Sequence, residues 1–414
     1  MIRSLLVYLR ESRSKLHPDE MKRPLFSPWP AFEQDEIRAV LGVLESGKVN
    51  QWTGIEVISF EEEFAQYLGV RHAIALANGS VALDIALTIL GIGPGDEVIV
   101  TPRSFVASAG CIVLRGATPV FVDVDRDSQN IAVEAVESAI SPRTKAVIAV
   151  HLAGWPCEME AFKALCSRKG IYLIEDCAQA HGAKISGKPA GSFGDFAAFS
   201  FCQDKIMTTG GEGGMLATND EELWKRAWSF KDHGKDYDAV FHDEHPSGFR
   251  WLVKRFGSNY RMTEMQAAIG RIQLKKLDAW VEKRRRLASI LTEGFKEFEA
   301  LRVTCPPEHI YHSYYKYYVF VEPGKLNKGW SRDRILASLA EKGVPCGTGI
   351  CPEIYLEKAF HGCEWRTGEG GRKRLEVSKE LGETSLMLQV HPTLEEPDMH
   401  YIVKQMAWVL KNIS

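Results

Sequence analysis

The sequence predicts an α/β protein: a large domain with a mostly parallel sheet covered by helices, plus a smaller α+β domain. Three observations predict it. Short apolar runs alternate with helix-period stretches from about Phe32 onward, as a sheet buried on both faces requires. At 414 residues the chain is longer than one core usually fills. Beyond about Leu301 the alternation gives way to a mixed pattern of strands and helices.

Residues 32–45 read as an amphipathic helix with Ile37, Val40, Leu41 and Leu44 on one face, and residues 56–68 as a second. A strand at Ala73–Leu76 leads into a helix from Ser80 to about Leu90. Strand-like runs follow at Glu97–Thr101, Val120–Val124, Ala146–Val150 and Tyr172–Ile174, with helical patterns at 131–140 and 158–169 between them. Phe196–Leu216 reads as strand, turn, strand. A long helix from Thr263 to about Phe298 carries Lys275, Lys276, Lys283, Arg284, Arg285 and Arg286, read as a solvated basic face. The last segment holds an aromatic strand at Tyr314–Val321, helices near Arg332–Lys342 and Pro397–Lys411, and a glycine-rich surface loop at His361–Arg374. The division expected is an extension at 1–23, an arm at 24–55 belonging to the small domain, a large domain at 56–298 and a small domain at 299–414.

Composition excludes several classes. Fifty-one basic residues against 54 acidic ones leave no positive surplus for a nucleic-acid backbone. The nine cysteines form no CxxC pair, which argues against a zinc cage or disulfide framework and for a reducing compartment. The N-terminal apolar stretch is too short and too broken by charge for a signal peptide, and no run approaches a membrane span, so a cytoplasmic protein without membrane partners is expected.

Four motifs carry chemistry. Asn78-Gly79-Ser80 opens an apolar helix, where a glycine allows close backbone approach and unpaired N–H groups favour a phosphate; a serine there is also an ordinary N-cap. Glu175-Asp176-Cys177-Ala178-Gln179-Ala180-His181-Gly182 follows a buried strand and puts a carboxylate where it could keep a ring nitrogen protonated or merely cap a helix. Lys205 lies just past the aromatic run Phe196–Phe201, with Ser200 five residues before it and Gly210-Gly211-Glu212-Gly213-Gly214 after it. Most lysines are surface charges; one desolvated here could form a Schiff base. In Asn259-Tyr260-Arg261-Met262-Thr263-Glu264-Met265-Gln266, a capping box explains Thr263 and Gln266 but leaves Asn259 and Arg261 free for an anion.

In order and spacing these segments resemble the sugar aminotransferases of the DegT/DnrJ/StrS group, enzymes of aspartate aminotransferase fold type I that use pyridoxal 5'-phosphate (PLP). The likeness covers the chain from about Trp29 onward and includes Pro94-Gly95-Asp96-Glu97-Val98-Ile99-Val100. The resemblance implies that Lys205 binds PLP as a Schiff base and shuttles the proton, with pyridoxamine 5'-phosphate formed between half-reactions. Asp176 would pair with the ring nitrogen, Gln179 with the phenolic oxygen, and Phe105 would stack on the ring. Gly79, Ser80 and Ser200 would hold the phosphate. Asn259 would reach the phosphate of the neighbouring subunit, which implies a homodimer with shared sites. Arg261, His312, Tyr314 and Tyr355 are candidate substrate contacts, with packing as the competing role for the three aromatic residues. No metal is implied.

The reaction expected is transfer of an amino group from L-glutamate, or glutamine, to a keto-sugar, expected to be nucleotide-linked. The segment Val344–Tyr355 departs from the aromatic-and-histidine stretch common among relatives, which keeps a keto-inositol or a sugar phosphate as alternative acceptors. A PLP sugar dehydratase would carry histidine at the position of Lys205, and a regulator retaining the fold would not need Lys205, Asp176 and Ser200 intact.

Overall fold

The computed structural model describes residues 26–248, 250–368 and 370–411; the expected N-terminal extension, 1–23, lies outside the described residues. Helices α1 (Gln34–Ser46) and α2 (Glu56–Leu68) lead into β1 (His72–Leu76), α3 (Gly79–Ile89), β2 (Glu97–Val100), α4 (Ala107–Leu114) and β3 (Thr118–Phe121). Next come α5 (Val133–Ala139), β4 (Thr144–Val150), α6 (Met159–Lys169), β5 (Tyr172–Asp176), β6 (Lys184–Ile185), β7 (Lys188–Pro189), β8 (Phe196–Ser200) and β9 (Gly214–Thr218). They are followed by α7 (Glu221–Lys231), α8 (Tyr237–Phe241) and α9 (Glu264–Phe295). The chain continues through β10 (Leu301–Arg302), β11 (Ile310–Tyr311), β12 (Tyr317–Val321), α10 (Arg332–Glu341) and β13 (Cys346–Gly347). It finishes with β14 (Arg366–Thr367), α11 (Glu376–Thr384), β15 (Ser385–Leu388) and α12 (Glu396–Lys411).

The large sheet has the order β1-β9-β8-β5-β4-β2-β3-β14. From β8 through β14 the neighbours are parallel, whereas β9 is antiparallel to β1 and β8. Every residue of β2, β3, β8 and β9 is buried, which explains why these strands read as continuous apolar runs without alternation. A second, antiparallel sheet, β10-β12-β15-β13, packs with α9, α10 and α12 around Leu291, Val319, Ile335, Leu386 and Met406.

Four local expectations are corrected. In α1 the buried residues are Glu36 and Val43, while Ile37, Leu41 and Leu44 remain 50%, 50% and 52% exposed. Lys276 of α9 sits 3.0, 2.8 and 3.2 Å from Glu33, Asp35 and Glu36, turning the charged side of α1 inward. The basic run of α9 is a solvated face only in part, with Lys275 and Arg286 exposed. Arg284 is buried, Arg285 lies over the Tyr311 ring, and Lys283 and Arg286 pair with Glu395 and Glu396. The strand expected from Tyr314 begins at Tyr317, because residues 312–315 turn onto the 151–155 loop: Ser313 N–H donates to Gly154 O and Tyr314 has φ 47°. The expected surface loop at His361–Arg374 supplies β14, the outermost strand of the large sheet, and Phe360 joins its core.

Glu97 anchors that outermost strand. Its fully buried carboxylate accepts from Arg366 Nη2 at 2.6 Å and Nε at 3.0 Å, and from Arg143 and Ser141, each at 2.6 Å. Burial pushes its carboxyl up, but the Arg366 fork, Ser141 and Arg143 outweigh burial and hold it below the ordinary value. A depressed folded pKa gives stability above the unfolded carboxyl's range that is lost as pH falls through the folded one. Arg366→Met should therefore lower the unfolding free energy by roughly 2 kcal/mol near pH 7. Melting curves of variant and parent should converge as pH drops below about 4.

Candidate active site

Strand register assembles the site. At the carboxyl edge of the sheet Leu76 of β1 faces Gly214, Gly214 faces Ser200, and Asp176 of β5 faces Ala198 of β8. The ends of β1, β8 and β5 and the start of β9 thus lie side by side, where α/β sheets bind ligands. The turn after β1 fits tightly against them. A Cβ on Gly79 would stand 2.7 Å from Ser200 Cβ, and one on Gly214 would stand 2.4 Å from the Asn78 carbonyl. Only glycine allows both approaches. Asn78 caps α3 by accepting from Val81 N–H at 3.0 Å, which leaves the Gly79 and Ser80 N–H groups at the helix start without intrahelical acceptors. Ser80 is exposed and Ser200 buried, and Gly79 brings the start of α3 against Ser200.

Asp176 is 5% exposed. One carboxylate oxygen accepts from Ser108 Oγ at 2.7 Å and the other from Ala178 N–H at 3.1 Å; Ser104 Oγ lies 2.9 Å behind Ser108 Oγ. Burial pushes this carboxyl above its ordinary value, opposed by Ser108, the Ala178 N–H and the Lys205 charge. Such a group is stabilised as an anion by a cation brought against it, which a protonated ring nitrogen is. Gln179 accepts from Ala153 N–H through its carbonyl oxygen at 2.9 Å, leaving its amide N–H groups to donate. With the start of α3 packed against Ser200, the donor set fits PLP.

Lys205 is held from several sides. Its Nζ donates to Tyr315 Oη at 3.4 Å, lies 3.6 Å from Asp204, and stands 4.9 Å from the Tyr315 ring centroid. Tyr315 Oη donates to Asp204, and Trp29 Nε1 donates to the Lys205 carbonyl at 2.9 Å. Burial works against the Asp204 carboxylate, yet Lys205 and Tyr315 hold it below its usual range. Neighbouring His181 is buried with neither ring nitrogen partnered among the described residues; burial and the charges of Lys205 and Arg284 push it down to about 3, so it is neutral.

The other sequence candidates differ in placement. Phe105, next to Ser104, is 61% exposed at the entry to α4. Residues 259–261 lie along the end of β1, with Ala77 N–H donating to Tyr260 O at 2.9 Å, and Asn259 stays exposed on this protomer. Arg261 is taken up by buried Asp232 at 2.8 Å. His312 is buried, accepts from Tyr314 N–H at 2.8 Å and stacks on the Tyr314 ring at 3.8 Å. Tyr355 is not brought to the edge; its hydroxyl donates to Glu353 and its ring packs against Phe121 and Trp365 in the core. Sequence reasoning missed Ser104, Ser108, Asp204, Tyr315 and Trp29. The i, i+4 spacing of Ser104 and Ser108 was a usable signal; Tyr315 and Trp29 come from distant chain segments and had none.

A family model described as the DegT/DnrJ/EryC1/StrS aminotransferase family matches residues 30–407. GDP-perosamine synthase of Caulobacter vibrioides is 35% identical over 385 residues, covering 92% of this chain and 97% of that protein. The structure of the aminotransferase from Psychrobacter cryohalolentis superposes with TM-score 0.91 at 51% identity, covering 94% of this chain and 99% of that one. An aminotransferase of Helicobacter pylori involved in the biosynthesis of pseudoaminic acid gives TM-score 0.83 at 27% identity, covering 95% and 100%.

Ser108→Ala removes a hydroxyl donor from a buried carboxylate. The cofactor dissociation constant, read by spectral titration, should rise roughly tenfold or more, and Ser108→Thr should stay near the parent value.

Proposed function

The chain belongs to the DegT/DnrJ/EryC1/StrS aminotransferase family of PLP-dependent sugar aminotransferases, and on that footing we propose that its acceptor is a nucleotide-linked keto-sugar and its donor L-glutamate. The observation that carries the proposal is Lys205, held against Tyr315 and Asp204 on the same sheet edge as buried Asp176. Support for a nucleotide on the acceptor comes from relatives named GDP-perosamine synthase.

PLP, when bound, supplies an aldehyde carbon for the incoming amine and a ring that accepts the electron pair released at the substrate carbon. The protein does the rest. Asp176 holds the ring nitrogen's proton, with Ser108 and the Ala178 N–H fixing both carboxylate oxygens. Lys205 Nζ takes the proton from the donor carbon and returns one to the acceptor carbon, as a positioned general base and acid. Tyr315 and Asp204 hold that amine in reach of both positions. Gly79, Ser80 and Ser200 bind the phosphate, Gln179 the phenolic oxygen, and Phe105 covers the ring face.

The reading includes a homodimer in the cytoplasm. Apolar Ile37, Leu41 and Leu44 on α1 and Phe256 near Asn259 are exposed on the protomer, which suits a second copy covering them and Asn259 reaching the partner's phosphate. None of the nine cysteines is paired, and no helix among the described residues is long and apolar enough to cross a membrane.

Two experiments test these points. L-glutamate should abolish the visible band of bound cofactor, and a nucleotide-linked keto-hexose should restore it with an amino-sugar detected by mass; recovery only with a sugar phosphate or a keto-inositol would replace the acceptor class. Lys205→Ala and Asn259→Ala should each be inactive, while a mixture of the two regains about a quarter of parent activity through hybrid dimers. No recovery on mixing would contradict the shared site.

A further inference from the structure

A second lysine stands beside the first. Lys316 Nζ lies 3.9 Å from Asp204 and 4.6 Å from the Tyr315 ring centroid, the same carboxylate and the same ring that hold Lys205. It donates to Gln389 Oε1 at 3.0 Å, which leaves two of its three N–H donors over. Behind it, Arg284 is 2% exposed; Nη1 donates to the carbonyls of Tyr314 and Tyr315 at 3.3 Å each, while Nε and Nη2 have no partner among the described residues.

Positive groups crowd around Lys205. Lys316 and Arg284 stand near it, and Asp204, the carboxylate between the lysines, faces both of them while also accepting from the Tyr315 hydroxyl. The histidines facing the cluster add no charge: burial, with the neighbouring cations, pushes both His181 and His391 down to about 3. Burial brings the Lys316 ammonium down to about 8, with Arg284 and Lys205 adding to the effect and Asp204 opposing it. A mostly buried ammonium with unused donors, facing one half-exposed carboxylate that it shares with Lys205, is stabilised by an incoming anion. Lys316 is reachable, its side chain 13% exposed, whereas Arg284 acts from behind through its field.

An amino-acid donor presents its amine where Lys205 Nζ stands and carries a carboxylate one carbon away. We propose that Lys316 binds a carboxylate of the amino donor and so sets the preference for an acidic amino acid, with Arg284 as the cation behind it. This rests on the reading of the donor as glutamate. The nucleotide diphosphate of the acceptor is the other anion that this chemistry could take, and the test separates the two.

Glutarate carries both carboxylates of the donor but no amine, so its binding to the holoenzyme by calorimetry reports the subsite without turnover. Lys316→Met should weaken glutarate about tenfold or more, Lys316→Arg should keep it within about threefold of the parent, and affinity for uridine diphosphate should not move. The visible band of bound cofactor, unchanged in both variants, checks that the site is intact. Unaltered glutarate affinity in Lys316→Met, or weakened uridine diphosphate binding in its place, overturns the assignment. A parent enzyme that neither binds glutarate nor responds to L-glutamate overturns the donor reading itself.

Discussion

A carboxylate buried at the end of a central strand is the constraint on which the rest of this molecule depends. Asp176 sits on β5, between β4 and β8, and is almost wholly buried. An acid so placed is unfavourable as an anion until donors and a cation meet it. Ser108 and the Ala178 N–H provide the donors from the protein, and in the role proposed for Asp176 the cofactor's ring nitrogen would provide the cation. That role would make the folded protein a receptor for one kind of ring in one orientation.

The remaining geometry follows from strand register. Because the ends of β1, β8 and β5 and the start of β9 lie together, the glycine turn after β1, Ser200 and Asp176 form one rim, and the polypeptide leaving β8 carries Lys205 across it. Distant parts of the chain then close over the lysine: Trp29 from the arm before α1, and Tyr315 and Lys316 from the segment entering β12. In the proposed reading, binding of the ring would be the work of the large sheet, whereas the setting of the Lys205 amine would depend on both ends of the chain.

The large sheet was legible because its strands are buried on both faces and its turns carry glycine at positions where a Cβ would clash, as at Gly79 and Gly214. Lys205, Asp176, Ser200 and Gln179 stand in contiguous motifs, so their neighbourhood on the sheet edge could be read locally. Tyr315 and Trp29 could not, since only tertiary folding brings them to Lys205 from 110 and 176 residues away. Helix α1 misled for a related reason. Its apolar side looks like a core face by periodicity, but the Lys276 cluster turns the acidic side inward and leaves Ile37, Leu41 and Leu44 outside. A basic stretch read as a solvated face became structural in part in the same way, with Arg284 buried beneath the site.

The central claim is that Asp176 keeps the cofactor's ring nitrogen protonated, and the nitrogen-15 chemical shift of ring-labelled cofactor in the holoenzyme reports that directly. The shift should be that of a protonated pyridine nitrogen in the parent across neutral pH and should move to the unprotonated value in Asp176→Ala. An unprotonated nitrogen in the parent, or a protonated one in the variant, would contradict the account.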